Sequence, residues 1–207
     1  MLNRASSIDF NLKASMRHNS ISFRIASLAI LIIFVITACG MLNPSPLKGA
    51  VVSPPVAAAD INLKDQNGQP FQLSKFRGKV ALVFFGYTQC TTECPLTMAA
   101  IKQALSTLGD ASKDVVVVMV STDPLNDTPQ SMKEFLGRFN PTFIGLVGSP
   151  AHLEKAWQDY GVLVEGGETH SSFTYVVDQQ GNLRETFSPD TPSDDVASDL
   201  KVLLAEK

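Results

Sequence analysis

Two cysteines, Cys90 and Cys94, stand four positions apart in the segment Gly86-Tyr87-Thr88-Gln89-Cys90-Thr91-Thr92-Glu93-Cys94-Pro95. The segment follows an apolar run and precedes a helical pattern, so it sits where a strand hands over to a helix. Pro95 is expected at the first helical position, which puts Cys94 near the N-cap. The N-terminus of a helix carries partial positive charge and favours a thiolate over a thiol. Both sulfurs are therefore expected to ionise easily. The spacing allows closure of a reversible disulfide, which needs Cα atoms about 4.4–6.8 Å apart. It also allows a bidentate soft donor suited to Cu(I) or Zn(II).

Two thiolates bind most divalent ions weakly, so a third donor is wanted. The chain has three histidines. His18 lies in the N-terminal segment that reads as a signal, ahead of its apolar run. His152 is three residues into a helix that opens at Ser149-Pro150, where it reads as a solvated helix-face residue. His170 sits in the polar loop Gly166-Gly167-Glu168-Thr169-His170-Ser171-Ser172, just before an apolar strand. From position alone two readings of His170 stand: a ligand, or a loop residue hydrogen-bonded to backbone.

The elements that must position these residues fall between 60 and 207. Ile61-Asn62-Leu63 and Phe71-Gln72-Leu73 alternate around Asn67-Gly68, a hairpin. Val80–Phe85 and Val115–Val120 are continuous apolar runs, as in strands buried on both faces. Met98, Ile101, Leu105 and Leu108 recur at helical spacing. Thr128-Pro129 opens a helix with Met132, Phe135, Leu136 and Phe139 on one side, and Ser149-Pro150 opens another with Leu153, Trp157 and Tyr160. Phe143–Val147 is a short strand. Phe173–Val177 and Leu183–Phe187 flank the turn Asp178-Gln179-Gln180-Gly181, and Val196, Leu200 and Leu203 line a closing helix. The expected fold is α/β and thioredoxin-like: a mixed central sheet flanked by helices, with an N-terminal hairpin.

The N-terminus reads as an address. Ile25–Thr37 is apolar but shorter than the roughly 20 residues of a membrane-spanning helix, and Arg17 and Arg24 precede it. Ile36-Thr37-Ala38-Cys39 resembles the bacterial lipoprotein box, in which the cysteine is lipidated and becomes the mature N-terminus. Residues 1–38 are expected as a signal peptide, with Met16 a candidate start, and residues 39–59 as a Pro/Ala-rich spacer. The domain is then held by a lipid anchor at Cys39 on the extracytoplasmic side of a bacterial cell membrane.

The formal net charge is -3. Arg4, Lys13, Arg17 and Arg24 against Asp9 occupy the first 38 residues, so the remainder carries 13 basic and 19 acidic residues. An acidic body excludes nucleic acid as a partner. Three cysteines are too few for a disulfide scaffold.

Over residues 60–207 the chain resembles the Sco/SenC family of copper chaperones for cytochrome oxidase assembly. The resemblance rests on Phe76-Arg77-Gly78-Lys79, Phe84-Phe85-Gly86-Tyr87-Thr88, the unit from Cys90 to Pro95, and Ser121-Thr122-Asp123-Pro124 followed by Asp127-Thr128-Pro129. It continues through Phe143-Ile144-Gly145-Leu146 and His170 ahead of a strand and an Asp-x-x-Gly hairpin. It implies that Cys90, Cys94 and His170 bind Cu(I) or Cu(II), and that the partner is the copper-site subunit of cytochrome c oxidase. Two departures bear on affinity and partner choice. Residues 91–93 are Thr-Thr-Glu, where the family usually has a Pro and an Asp. Glu168-Thr169 precedes the histidine in place of the family's frequent Asp.

Three functions use these residues. The first is a metallochaperone. The second is a thiol–disulfide oxidoreductase, disfavoured as the sole role because three residues separate the cysteines and Ser171-Ser172 lacks the thioredoxin proline. The third is a peroxidase, for which Thr91 fits but Tyr87 occupies the expected proline position. Asp123 and Asp127 are expected to shape the surface beside the site, or its turns, without binding metal, since carboxylates match Cu(I) poorly.

Overall fold

The computed structural model describes residues 47–165, 168–169 and 172–206. In chain order the elements are β1 (Ala50–Ala57), β2 (Asn62–Asp65), β3 (Pro70–Gln72), β4 (Val80–Gly86), α1 (Glu93–Leu108), β5 (Val115–Ser121), α2 (Pro129–Gly137), β6 (Ile144–Val147), α3 (Pro150–Asp159), β7 (Val164–Glu165), β8 (Glu168–Thr169), β9 (Thr174–Val177), β10 (Asn182–Phe187) and α4 (Ser193–Ala205). Short 3-10 turns occupy Leu73–Phe76 and Gly109–Asp114.

One sheet has the order β1-β10-β9-β4-β5-β6-β2-β3. Its centre, β4-β5-β6, is parallel, and β9, β10 and β1 continue it antiparallel beyond β4. The β2–β3 hairpin pairs antiparallel with β6 and closes the other side. This is the expected mixed, thioredoxin-like arrangement. The two apolar runs behave as strands covered on both faces. Val80, Leu82 and Phe84 point into one core with Met98, Ile101, Met132, Phe135 and Leu200. Ala81, Val83 and Phe85 point into a second, with Ile61, Phe71, Leu153 and Tyr160. Helices α1, α2 and α4 thus cover one face and α3 the other.

The turns follow from their residues. In the first hairpin Asp65 Oδ1 accepts the backbone N–H groups of Asn67 and Gln69, each at 2.8 Å, and Gly68 takes φ +78. Only glycine adopts that conformation without steric cost. Thr128 caps α2: its side chain accepts from Ser131 N, and Thr128 N in turn donates to Ser131 Oγ.

Three expectations need correction. The spacer was expected to run to residue 59, but β1 occupies Ala50–Ala57 and Leu47 is buried, so the folded body begins earlier. The segment carries no hydrophobic period because it is an edge strand with a largely exposed face, where proline is tolerated. The loop expected at 166–172 contains strand β8, which pairs antiparallel with β7 just before the loop to make a second, two-stranded sheet. Helix α1 starts at Glu93, not Pro95. Proline is accepted anywhere in the first turn, whose N–H groups have no intrahelical acceptor, so Pro95 marks the turn and not its first residue. Residues 1–46, including Cys39 and the apolar run, lie outside the described residues, as does His170.

Candidate metal centre

The carboxyl ends of β4 and β5 lie side by side, since the two strands pair in parallel from Val80↔Val115 to Gly86↔Ser121. The loops that follow them are stitched together. Thr122 N donates to Gly86 O at 2.9 Å. Asp127 is buried and accepts from Thr88 N at 3.0 Å, Thr88 Oγ1 at 2.7 Å and Ser121 Oγ at 2.6 Å. Asp123 accepts from Asn126 Nδ2 at 2.7 Å. Both carboxylates are thus spent on loop geometry, in keeping with a shaping role. The chain is thus held at Gly86, the end of β4, and at Thr88 before it reaches Cys90, whose N–H donates to Tyr87 O at 3.3 Å.

Cys90 is half-buried just ahead of α1, and Cys94 is buried within its first turn. Both are free thiols. Cys94 N donates to Cys90 Sγ at 3.3 Å, so an orphan amide of the helix start faces the first sulfur. The two thiols then part company. Burial opposes ionisation of Cys90, but the amides of Cys94, Thr92 and Glu93 and the Cys94 thiol together outweigh it and hold Cys90 below the ordinary thiol value. Burial pushes Cys94 up, and its hydrogen bond to Cys90 adds to this, against a smaller pull from the Tyr87 amide. The expectation that both sulfurs ionise easily is corrected: the arrangement favours one thiolate and one thiol. The cause is that Cys94, in the first turn of α1 and on its core side, is removed from water.

Gly86 was quoted only as part of a motif, and the structure gives it a role. A Cβ there would stand 2.9 Å from Cys94 Sγ, 2.6 Å from Phe84 Cε1 and 3.2 Å from Met119 Cε. The buried sulfur occupies the space that any side chain at 86 would need.

The structure brings Cys90 and Cys94 together. Among the described residues no group of three or more His, Cys, Asp or Glu is placed to hold a metal ion, and His170 lies outside them. The chain on either side of position 170 nevertheless meets the strand and the helix that flank the cysteine loop. Strand β8 lies against β4. Ser172 Oγ donates to the carboxylate of Glu93, the residue before Cys94. No spacing rule foretold that tether. His152 is exposed, its Nδ1 2.9 Å from Ser149 Oγ at the start of α3, as a helix-face residue should be.

A family model described as SCO1/SenC matches residues 53–205. A SCO2-like protein of Rickettsia conorii is 33% identical over 142 residues, spanning 64% of this chain and 69% of the relative. The solution structure of apo Sco1 from Thermus thermophilus superposes with a TM-score of 0.68 at 36% identity, covering 76% of this chain and 97% of that one. Copper-bound ScoI of Bradyrhizobium japonicum superposes with a TM-score of 0.64 at 32% identity, covering 72% and 99%.

Proposed function

The chain belongs to the SCO1/SenC family, and on that footing we propose that it is an extracytoplasmic copper metallochaperone that holds copper through Cys90, Cys94 and His170. The observation that carries the reading is the pair of sulfurs at the start of α1, with the Cys94 amide donating to Cys90 Sγ. Two sulfur donors suit Cu(I), and an imidazole adds the nitrogen that Cu(II) prefers. The similarity to a structure solved with copper bound supports the same metal. Contacts on both sides of position 170, at β4 and at Glu93, support His170 as the third donor.

The acceptor is the copper-site subunit of cytochrome c oxidase, and the domain is tethered to the membrane by a lipid at Cys39. A three-donor site leaves copper open to an incoming thiolate, so transfer proceeds by exchange of one ligand at a time. Leu96, in the first turn of α1, and Leu125, in the loop after β5, are exposed at this end of the sheet and give an acceptor apolar surface to meet.

Thiol–disulfide exchange is a second reading, favoured by the asymmetry of the pair. The Cys90 thiolate attacks an acceptor disulfide and forms a mixed disulfide, releasing one acceptor thiolate. Cys94 gives up its proton and attacks Cys90 Sγ, releasing the second. The acceptor gains two electrons, and the Cys90–Cys94 disulfide is left behind.

Anaerobic titration of the reduced protein with Cu(I), counting metal per chain, tests the first reading. One tightly held copper, lost in Cys90→Ser and in Cys94→Ser, is the expected result. Failure of the reduced wild type to retain copper would leave only the exchange reading.

A further inference from the structure

Far along the sheet from the cysteines, the core contains two carboxyl groups that the copper chemistry does not use. Glu185 on β10 and Asp199 on α4 are each 0% exposed. Asp199 Oδ2 accepts from Lys48 N at 2.7 Å and from Gly49 N at 3.0 Å, so this carboxylate grips the chain just before β1. Its other oxygen, and both oxygens of Glu185, have no hydrogen-bond partner among the described residues. Gly49 comes so close that a Cβ there would stand 2.4 Å from Glu185 Oε2 and 3.0 Å from the Phe187 ring. The next residues pair with β10 itself, with Val51 opposite Glu185.

The charges around the pair do not neutralise it. Arg184, its neighbour on β10, is engaged with Glu206 and, at 3.3 Å, with Asp178. Lys48 Nζ is engaged with Asp195 in the first turn of α4, where Asp194 adds another negative charge. Strands β1 and β9 place Val51 and Val176 opposite Glu185. Gly49 meets both carboxyls, its N–H on Asp199 and its Cα beside Glu185, and two ionised carboxylates so placed in an apolar core, short of donors, are strongly disfavoured. One proton resolves both problems: Glu185 O–H donates to Asp199 Oδ1, and the second Asp199 oxygen remains for the strap.

We infer that Glu185 and Asp199 share a single proton, and that this proton latches residues 47–57 onto the body. When it leaves to solvent base, the Glu185–Asp199 hydrogen bond breaks and two like charges face each other beneath the strap. Residues 47–49 and β1 then detach. Detached, they add to the length of chain that separates the body from Cys39.

Burial, and secondarily the charge of Asp199, push the Glu185 carboxyl up to about 8. Its value in the folded state is thus above that of a solvated glutamate, and the folded state holds the extra proton. The latch is fully closed below the solvated value of about 4.5 and weakens as pH rises toward about 8. Release of one proton on opening makes the opening constant rise by up to about tenfold per pH unit within that window.

Hydrogen exchange of the full chain across pH 6 to 9 tests this, with β1 amide protection corrected for intrinsic rates and read against β4. Protection of β1 should fall with pH while β4 holds, and Glu185→Gln should make β1 independent of pH. Infrared spectroscopy of the wild type at pH 7 should show a buried protonated carboxyl band, a test that does not depend on how the variant folds. Absence of that band, pH-independent β1 protection in the wild type, or unchanged pH dependence in Glu185→Gln would each overturn the latch.

Discussion

Cys90 and Cys94 share a residue type and a helix start, yet their surroundings divide the labour. The sulfur that meets water has the amides, and the sulfur that meets the core has the desolvation. Spacing alone showed where the pair sits and which soft metals suit it. It could not show the split, because Cys94 is desolvated by its place in the core that holds Phe84 and Met119, and only the packing of the sheet assembles that core. Glu185 is a different case: the period of two puts it on the face of buried Phe187, but nothing in the spacing shows that Asp199 of α4 comes to the same place. The division has a direct consequence in the reduced, metal-free protein. Alkylation followed by mass spectrometry should modify Cys90 at a pH below that needed for an ordinary thiol, because its folded value is lowered. Cys94, 2% exposed and raised, should remain unmodified until the domain opens. Faster labelling of Cys94 would contradict the assignment.

At the scale of elements, what was legible was whatever two-sided burial or a helical stripe writes into the chain. β4, β5 and the buried stripe of α1 (Met98, Ile101, Leu105, Leu108) all lie where the pattern put them. What escaped was whatever tertiary pairing alone creates. β1 is an exposed edge strand with two prolines, and β7 and β8 are two residues each, too short to show a period. The junction of β4 and α1 is where element packing and the site meet. Gly86→Ala would drive a methyl into the space of Cys94 Sγ and the Phe84 ring. Overpacking of this kind costs about 2 kcal/mol. Chemical denaturation of the reduced protein should show that loss, and a change below about 0.5 kcal/mol would mean that the strand end yields more than its contacts imply.

At the scale of the whole molecule, residues 47–57 form the edge of the body that carries the cysteine pair. The signal box and Cys39 precede the described residues, and their role rests on sequence. Cys39→Ala should abolish lipid attachment, read as the loss of acyl mass and release from the membrane fraction; unchanged mass and partitioning would remove the anchor. His170 is assigned as a ligand by family resemblance, its place in the loop alone leaving a ligand and a backbone-bonded loop residue equally open, and it lies outside the described residues. The claim at the centre is that two sulfurs and this imidazole form one copper site, and Cu(II) tests it most directly because it depends on the nitrogen donor. The thiolate-to-Cu(II) charge-transfer absorption of His170→Ala, measured beside the wild type at equal copper loading, should be lost or strongly weakened. An unchanged cupric spectrum in the variant would contradict the three-ligand site and leave His170 a residue of the loop.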